Sequence, residues 1–358
     1  MRKVLLIIEN IGSGGAERQM CGLAASLTEI GYNCRLISYE KRQFFEQYLL
    51  DHKVDYQFVP SLLNKRTRVP RLALYLWKYR PDVVISFNES VNMTACLTRL
   101  LYPCKVVVSE RNNQYRMTRA DKIRFFLYRL SDHIVPNSYS QGLFIVNNYP
   151  SLAKKICPIV NFVDLDKFKK VVYKQKSDRL RIIITARYTE QKNCLFFLDF
   201  VEKVKMLKLP VVFEWFGSLS ANPVYFDNFI KKYESLDICD YLIIHDQTKN
   251  IVEEYNKSDV FCLPSLYEGY PNVIIEAMCC NLPIICSNVY ENPYIVEEGL
   301  NGFLFNPNEV DSAIKALKNM LNLSAEEREK MGYRNRIKCQ NINSIKEFTD
   351  RWIKIIES

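Results

Sequence analysis

Short apolar runs that alternate with amphipathic runs are the feature that most constrains the fold of this chain. In the first half, apolar runs of strand length lie at residues 3–9, 34–38, 54–59, 82–87, 105–109, 133–136 and 156–160. Between most of them, apolar residues recur at helical spacing, as in residues 16–30. A strand–helix–strand order joins neighbouring strands in parallel, and helices then cover both faces of the sheet. The first half therefore predicts an α/β domain.

The same alternation starts again after a polar, basic junction at residues 171–178, which is the best candidate for a linker. Strands are predicted at 180–185, 211–216, 241–245, 259–263 and 283–287, and helices at 194–208, 223–235, 250–256, 273–280, 311–321, 324–340 and 345–356. A chain of 358 residues exceeds one ordinary hydrophobic core. Two α/β halves of similar length predict two domains, with a cleft between them as the expected ligand site.

Two carboxylates follow the predicted strand at 259–263. Glu268 lies in the loop after that strand, and Glu276 lies in the first turns of the next helix. Ligands of open α/β sheets bind at the carboxyl ends of the strands, where loop amides and a helix N-terminus attract anions. Carboxylates beside an anion site suit a polyol, with Glu268 accepting from sugar hydroxyls and Glu276 from a ribose diol. The pattern therefore predicts a nucleotide-sugar site.

The segment from Pro264 through Pro283 resembles the E-x7-E signature of retaining glycosyltransferases with the GT-B fold, in particular glycosyltransferase family 4. It matches the family form PSxxEGxPxxxxEAMxxxxP. The resemblance implies an α/β fold of GT-B type, with two Rossmann-like domains whose parallel sheets face an interdomain cleft. It implies an acceptor-binding domain at 1–170, a donor-binding domain at 171–340, and a C-terminal helix at 341–358 that packs back on the first domain.

The resemblance also implies roles for individual residues of the second half. The family's Arg and Lys that hold the donor diphosphate correspond to Arg187 and Lys192. Cations that bind the departing diphosphate more strongly as its charge builds lower the reaction barrier. The implied catalytic residues are therefore Arg187, Lys192 and Glu268. The implied donor-binding residues of this half are Gly217, Glu268, Gly269, Tyr270, Pro271, Asn272 and Glu276.

The loop after the first predicted strand resembles the family's N-terminal GGAER loop, and it places Gly14 and Gly15 near the donor. Glycine allows a ligand to approach the backbone closely. The loop is not a dinucleotide fingerprint, because Glu17 stands where G-x-G-x-x-G needs its third glycine. Glu40, after the second strand, is placed where a ribose-binding acid would lie, so an NAD-binding Rossmann protein stays an alternative.

Three residues that follow strands of the first half are weaker candidates for acceptor binding: Asn88, Glu110 and Arg111. Many family members have a histidine at or near the position of Arg111. Close to the expected site for the nucleotide base, the family's second glycine is missing after Gly217, and His245 and Asp246 stand where a glycine often follows the strand. The base is therefore left open between UDP- and GDP-sugars.

Charge is distributed unevenly along the chain. Residues 1–165 carry a net charge of +10, and the remainder carries −1. Basic and aromatic side chains are interleaved in residues 65–79 and 111–129. Such stretches suit an anionic membrane surface or a lipid-linked acceptor, or they are ordinary solvated helix faces. We expect no nucleic-acid partner, since no recognition motif accompanies them.

Composition excludes several other classes of protein. The longest apolar runs fall far short of the ~20 residues that span a bilayer, and residues 3–9 are too short for a signal-peptide core. Twelve scattered cysteines without a C-x-x-C motif are typical of buried thiols in a reducing compartment. Three histidines make a Cys/His metal site improbable. We expect a cytoplasmic protein, peripheral on the inner face of the membrane, with no metal and no cofactor.

The resulting expectation is a retaining glycosyltransferase. It transfers sugar from a UDP- or GDP-sugar to a lipid-linked or other glycan acceptor during the synthesis of a surface polysaccharide or glycolipid. The alternatives are a GT-B nucleotide-sugar isomerase (an epimerase) that uses no acceptor, and an NAD-binding Rossmann protein or non-catalytic binding module.

Overall fold

The computed structural model describes residues 1–111, 117–171, 178–219 and 222–358. The chain divides into two compact units. Unit 1 comprises Met1–Phe162 and Ile345–Ser358, and unit 2 comprises Val163–Ser344. The sequence places these boundaries at 170/171 and 340/341. Most of the predicted linker, residues 172–177, lies outside the described residues.

Unit 1 is built on one parallel sheet. Its described strands are β1 (Val4–Ile7), β2 (Cys34–Ser38), β3 (Asp55–Phe58), β4 (Val83–Phe87), β5 (Lys105–Glu110) and β6 (His133–Pro136). The helices between them are α1 (Gly15–Glu29), α2 (Glu46–Asp51), α3 (Arg68–Tyr79), α4 (Glu89–Thr98), α5 (Arg119–Leu127) and α6 (Tyr139–Asn148). Alternate residues of β1 enter different cores, with Val4 and Leu6 on one face and Leu5 and Ile7 on the other. The sheet is therefore covered on both faces, as the strand–helix alternation predicts.

Unit 2 repeats this design. Its described strands are β7 (Leu180–Thr185), β8 (Val211–Phe216), β9 (Leu242–His245), β10 (Val260–Leu263), β11 (Ile284–Ser287) and β12 (Gly302–Phe305). Its helices are α7 (Cys194–Met206), α8 (Pro223–Ser235), α9 (Ile251–Lys257), α10 (Asn272–Cys279), α11 (Asn292–Ile295), α12 (Val310–Asn322) and α13 (Ala325–Ile342). Strands β10 and β11 are buried along their whole length, because their side chains are apolar on both faces.

Strand order shows where each sheet can form a crevice for a ligand. The orders are β3-β2-β1-β4-β5-β6 in unit 1 and β12-β11-β10-β7-β8-β9 in unit 2. Both are the doubly wound order in which the chain reverses direction across the sheet at one point. Loops that leave the carboxyl ends of the two central strands diverge there and open a crevice. That switch point lies between β1 and β4 in unit 1, and between β7 and β10 in unit 2.

The structure corrects three elements of the prediction. Residues 156–160 do not form a strand, although the amides of Cys157 and Ile159 donate to β6. The contact with β6 is limited to these two bonds and an isolated bridge between Ile134 and Ile156. Pro158 lies between the two donors, where its backbone nitrogen faces away from β6 and cannot donate to a further strand. The sequence prediction also misses β12 and the single-turn helix α11. Strand β12 pairs with β11 only because residue 302 is glycine, since a Cβ atom there would lie 2.3 Å from the carbonyl oxygen of Ile284.

The last helix, α14 (Ile345–Glu357), belongs to unit 1 rather than to the preceding unit 2. Its apolar residues recur at helical spacing, and Phe348, Trp352 and Ile356 are buried in the unit 1 core. The ring of Trp352 lies 5.8 Å from that of Phe87 at the end of β4. This helix therefore completes one face of a sheet whose strands all come from the first half of the chain.

A close backbone contact beneath α10 gives the first prediction. A Cβ atom at Gly332 of α13 would lie 1.8 Å from the carbonyl oxygen of Asn281, which follows α10. Alanine normally stabilises a helix interior relative to glycine by about 0.5–1 kcal/mol. We expect Gly332→Ala instead to lower the free energy of unfolding by about 1–3 kcal/mol, because the two backbones must separate.

Urea denaturation measures this change. Glu329→Ala on the same helix is the control, since Glu329 is exposed and the substitution should stay within about 0.5 kcal/mol of the parent. An unchanged or raised stability for Gly332→Ala would show that the contact is not required.

Candidate functional site

The carboxyl ends of β7 and β10 flank the switch point of unit 2, and their loops carry the predicted site residues. The loop after β7 covers residues 186–193 and contains a 3₁₀ turn, Glu190–Lys192. The loop after β10 covers residues 264–271 and leads into α10. Strands β7 and β10 are hydrogen-bonded neighbours, so residues far apart in sequence begin their loops side by side.

Three contacts join these two loops. The amide of Leu266 donates to the carbonyl oxygen of Gln191 at 2.9 Å, and the Gln191 side chain donates to the carbonyl oxygen of Tyr267 at 3.0 Å. The ammonium group of Lys192 forms an ion pair with the carboxylate of Glu268. The structure thus brings together a cation and an acid that the sequence assigns to one site.

The carboxylate of Glu268 is buried, with 5% of the residue exposed. A buried charge is costly unless it is paired and hydrogen-bonded. Its Oε1 accepts from Lys192 and, at 2.5 Å, from the hydroxyl of Ser265. The backbone of Ser265 is held in turn by the hydroxyl of Ser287, which donates to its carbonyl oxygen at 2.6 Å. The Glu268 side chain is therefore fixed before any ligand binds.

Glu276 is the second acid, and it lies inside α10 with 7% of the residue exposed. The hydroxyl of Tyr255 donates to its Oε2 at 3.4 Å, and that hydroxyl also lies 2.7 Å from Oγ1 of Thr185, the last residue of β7. Burial, with the negative charge of Glu276, raises the pKa of Tyr255, which therefore stays a neutral donor. Glu276 is thus tied to the same switch point as Lys192 and Glu268.

Arg187 projects from a backbone that is held on both sides. Ala186 and Tyr188 are buried, and the Tyr188 hydroxyl donates to the carbonyl oxygens of Trp215 and His245. Arg187 itself is exposed, and within the described parts of the chain its guanidinium has no ion pair. Its donors are therefore available to an anion.

Gly217 has a structural reason to be glycine. A Cβ atom there would lie 2.1 Å from the carbonyl oxygen of Ala186, so the end of β8 could not approach the β7 loop. Next to it, the ring of His245 stacks on Phe216 at 4.2 Å, and Nε2 lies 2.9 Å from a carboxylate oxygen of Glu214. Donor contact by Gly217 stays a prediction.

The run from Gly269 to Asn272 has two features that sequence reasoning passed over. Pro271 has no N–H group, so the amides that this run offers a ligand belong to Gly269, Tyr270 and Asn272. The Tyr270 hydroxyl accepts a hydrogen bond from the side chain of Asn343 at 2.7 Å in a buried position. The tyrosine ring therefore anchors the loop.

In unit 1, Gly14 and Asn88 begin helices that follow β1 and β4, on either side of the switch point. Gly14 occupies the N-cap of α1 and Gly15 is the first residue of the helix. The Glu17 carboxylate folds back over Gly14, where a Cβ atom would lie 2.1 Å from its Oε2. Burial raises the pKa of Glu17. Asn88 has a left-handed backbone, with φ of 76°, at the N-cap of α4.

The two candidates at the end of β5 differ from each other. Glu110 is buried in the core, where Tyr128 and Asn92 donate to it and Arg124 lies 3.5 Å away. Burial raises the pKa of Glu110. Arg111 lies over the ring of Phe87, outside that network. Acceptor binding by either residue stays a prediction.

Metal ligands are not clustered in the part of the chain that the structure describes, where no group of three or more His, Cys, Asp or Glu could hold an ion. An Asp-x-Asp sequence does occur, at Asp164 and Asp166. Both residues are exposed, and the Asp164 carboxylate accepts from the amides of Asp166 and Lys167. This acid therefore caps a turn.

Two family matches cover the elements that carry these residues. Residues 13–167 match the family described as Glycosyltransferase Family 4, and residues 166–338 match Glycosyl transferases group 1. The chain belongs to the family 4 glycosyltransferases. The E-x7-E signature, Arg187 and Lys192 all lie within the second match.

Similar proteins align with this chain over nearly its whole length. An uncharacterized glycosyltransferase of Haemophilus influenzae is 24% identical over 90% of this chain and 91% of its own. A Campylobacter jejuni α-1,4-N-acetyl-D-galactosaminyltransferase is 26% identical over 99% of this chain and 98% of its own. The crystal structure of Anabaena HepE in complex with UDP superposes with a TM-score of 0.85 at 14% identity, covering 99% of each chain. The GT-B fold that the sequence resemblance implies is therefore confirmed.

Sequence reasoning missed three residues of this glycosyltransferase that support its predicted acids. Ser265 holds Glu268, and Tyr255 with Thr185 holds Glu276. Ser265 was open to detection, because it belongs to the matched PSxxEG string. Tyr255 could not be detected from the sequence, because only the packing of α9 shows that this tyrosine faces α10.

The Lys192–Glu268 ion pair gives the second prediction. Its side chains are only 12% and 7% exposed, so removing one partner leaves a poorly solvated charge. We expect Lys192→Met or Glu268→Gln to cost about 1–3 kcal/mol of stability each, and the double variant to cost clearly less than their sum. The coupling free energy should be about 0.5–3 kcal/mol.

A double-mutant cycle in urea denaturation, without ligand, measures that coupling. The exposed pair Lys330–Glu326 on α13, at 64% and 76% exposure, is the matched control, and its coupling should stay below about 0.5 kcal/mol. Additive effects at Lys192 and Glu268 would contradict the assigned pairing.

Proposed function

We propose that this chain is a retaining glycosyltransferase that moves a sugar from a UDP- or GDP-sugar to a lipid-diphosphate-linked glycan acceptor. The observation that carries the proposal is the arrangement at the β7/β10 switch point. The buried acid Glu268 pairs there with Lys192, and the second buried acid, Glu276, is joined to the end of β7 through Tyr255. Arg187 leads the loop after β7 with no ion-pair partner within the described residues. A nucleotide-sugar presents hydroxyls for the acids and a diphosphate for the cations.

The reaction assigns a task to each of these groups. Glu268 accepts from sugar hydroxyls and Glu276 from the ribose. The bond between the sugar's anomeric carbon and the diphosphate oxygen breaks, and the acceptor hydroxyl oxygen bonds to that carbon on the same face. The hydroxyl proton passes to the departing diphosphate oxygen. Arg187 and Lys192 stabilise the diphosphate as its negative charge increases.

Donor binding changes the partner of Lys192. In the ligand-free chain its charge is compensated by Glu268. A diphosphate supplies a competing and larger negative charge. Glu268 then loses a cation at the moment when sugar hydroxyls arrive as donors. The ion pair therefore keeps both side chains in place until the donor replaces it.

Two similar proteins support the choice of substrates. HepE was solved with UDP, which supports a UDP-sugar as donor. The Campylobacter enzyme is named for an acceptor in which a glycan is joined to undecaprenol through a diphosphate. We therefore place this chain in the assembly of a surface polysaccharide or glycolipid, and we expect neither a metal nor a cofactor.

Incubation of the purified chain with UDP- and GDP-sugars and a polyprenyl-diphosphate glycan tests this proposal. It predicts an extended glycan whose new bond keeps the donor's anomeric configuration by NMR. Release of an altered sugar without glycan extension would instead favour the isomerase. Tight binding of NAD would favour the NAD-binding Rossmann protein, and absence of any nucleotide binding would favour a non-catalytic binding module.

Arg187 provides the third prediction. Arg187→Ala removes a charge-assisted hydrogen bond to the diphosphate, which contributes about 1.5–3 kcal/mol, so kcat should fall roughly 10–150-fold. The unfolding midpoint should stay unchanged, because the side chain is exposed and, in the described structure, forms no ion pair. Steady-state transfer assays measure kcat. Lys315→Ala, on the exposed face of α12, controls for loss of a surface cation, and equal turnover in both variants would refute the role of Arg187.

Helix α5 of unit 1 supports peripheral contact with an anionic membrane. One face of this helix is exposed and combines cations with large apolar side chains: Arg119, Lys122, Ile123 and Phe126. Ile123 is 61% and Phe126 60% exposed. In the described residues no helix is both long and apolar enough to cross a bilayer. Insertion of apolar side chains between anionic headgroups, with cations beside them, suits this face.

The fourth prediction concerns vesicle binding. Ile123→Ser combined with Phe126→Ser removes the apolar part of the α5 face, and full burial of each side chain stabilises by about 1.5–3 kcal/mol. We expect binding to phosphatidylglycerol vesicles in a flotation assay to fall at least about tenfold. Met206→Ser, which removes an exposed apolar side chain from unit 2, should have no effect. Equal flotation of all variants, or equal binding to zwitterionic vesicles, would contradict the assignment.

A further inference from the structure

Arg124 and Arg111, two arginines of unit 1, differ in one respect that bears on function. Arg124 lies over the ring of Phe125 with its guanidinium among three carboxylates, those of Glu89, Glu110 and Asp121. Arg111 lies over the ring of Phe87, with 3.7 Å between guanidinium carbon and ring centroid. No carboxylate pairs with Arg111 among the described residues, and the five residues that follow it, 112–116, include no acid.

The hydrogen bonds of Arg111 are incomplete. Its Nη1 donates to the side-chain oxygen of Asn161 at 3.0 Å. Its Nε and Nη2 are shielded from solvent and have no hydrogen-bond partner among the described residues. The Nε and Nη2 of Arg124 are unbonded in the same way, but carboxylates lie beside that guanidinium. Burial lowers the pKa of Arg111 to about 9, so the group is still protonated at neutral pH. A desolvated guanidinium with two unused donors and no counter-charge is a costly arrangement.

The position of Arg111 points to a ligand rather than to packing. It follows β5, and its guanidinium reaches back over Phe87, the last residue of β4. Strand β4 borders the switch point of unit 1. Near Arg111, Oδ1 of the buried Asn137, which follows β6, likewise has no hydrogen-bond partner in the structure. An anion with a hydroxyl group beside it would meet donors from Arg111 and an acceptor from Asn137.

We propose that Arg111 binds a phosphate group of the acceptor substrate, with Asn137 accepting from an adjacent sugar hydroxyl. The planar guanidinium suits a phosphate, which two parallel N–H groups can bind together. Because Nε and Nη2 are shielded in the ligand-free chain, side chains at this edge must shift as the phosphate enters. This inference rests on the proposed function, since it identifies the part of a lipid-diphosphate acceptor that unit 1 contacts.

Three variants separate this role from a structural one. Arg111→Met keeps apolar volume over Phe87 and removes the charge, Arg111→Lys keeps the charge, and Arg124→Met is the matched control. We expect Arg111→Met to leave the unfolding midpoint unchanged or raised, because it removes an uncompensated buried charge. Arg124→Met should lower the midpoint, because it leaves three carboxylates without their cation.

Steady-state transfer assays should then show that Arg111→Met raises the acceptor KM roughly 10–150-fold, while the donor KM changes less than about twofold. Arg111→Lys should recover part of the acceptor affinity. Calorimetric titration of inorganic pyrophosphate into UDP-saturated protein should show binding that Arg111→Met abolishes. That titration needs no turnover. It therefore still tests whether Arg111 binds a phosphate group if no nucleotide-sugar supports transfer.

Two results would overturn the proposal. One is a loss of stability in Arg111→Met like that of Arg124→Met, with unchanged acceptor KM and pyrophosphate binding. The other is an equal rise of donor and acceptor KM, which would assign the anion to the donor.

Discussion

Parallel pairing of β7 with β10 is the constraint on which the candidate site of unit 2 depends. The register joins Ile182 with Val260 and Ile183 with Phe261, so both strands end at the same edge of the unit 2 sheet. Their loops leave that edge in divergent directions because the chain reverses there. Lys192 and Glu268, which are 76 positions apart in the sequence, therefore meet at a place that the sheet shields from water. In that environment neither charge is stable alone, and each determines the position of the other.

The same edge explains why the supporting residues have the identities observed. Gly217 lets the end of β8 approach the carbonyl oxygen of Ala186. Ser265 fixes the Glu268 carboxylate, and Tyr255 does so for Glu276. Unit 1 uses the corresponding edge of a sheet with the same strand order, where Gly14 and Asn88 flank the switch point and Arg111 lies one strand further along. The two sheets share one strand order, but the residues at their carboxyl edges differ in chemistry. The excess of basic residues falls in the first half of the sequence, which forms most of unit 1.

Much of this was predictable from the sequence, and the exceptions have physical causes. Apolar runs locate strands such as β6, β7 and β8 at their observed residues, because strands that are largely buried on both faces consist mostly of apolar residues. Residues 156–160 are equally apolar, but they contact β6 only through an isolated bridge and two hydrogen bonds, and they form no strand. Strand β12 is only four residues long and depends on the close approach that Gly302 allows.

The site could be predicted as a set of positions, while the pairings within it could not. Residues that follow a parallel strand lie at the edge of the sheet where the carboxyl ends of the strands meet. The sequence alone therefore places Glu268, Glu276, Lys192 and Glu110 at such an edge. Burial of the Glu110 side chain depends on Tyr128 and Arg124, which reach it from another element. No local sequence pattern around Glu110 indicates that Tyr128 and Arg124 are its partners. The contrast between Arg111 and Arg124 arises in the same way, because both occur in one basic stretch of the sequence.

The central claim is that unit 2 binds a nucleotide-sugar through its diphosphate, and calorimetric titration with UDP and uridine tests it most directly. If the claim is right, UDP binds the parent chain at least about tenfold more tightly than uridine, since each charge-assisted hydrogen bond to the diphosphate contributes about 1.5–3 kcal/mol. Lys192→Met combined with Arg187→Ala should remove most of that difference and leave the affinity for uridine unchanged. Equal affinities for UDP and uridine in the parent, or a difference that persists in the double variant, would contradict the account, and GDP with guanosine provides the same comparison for the other candidate base.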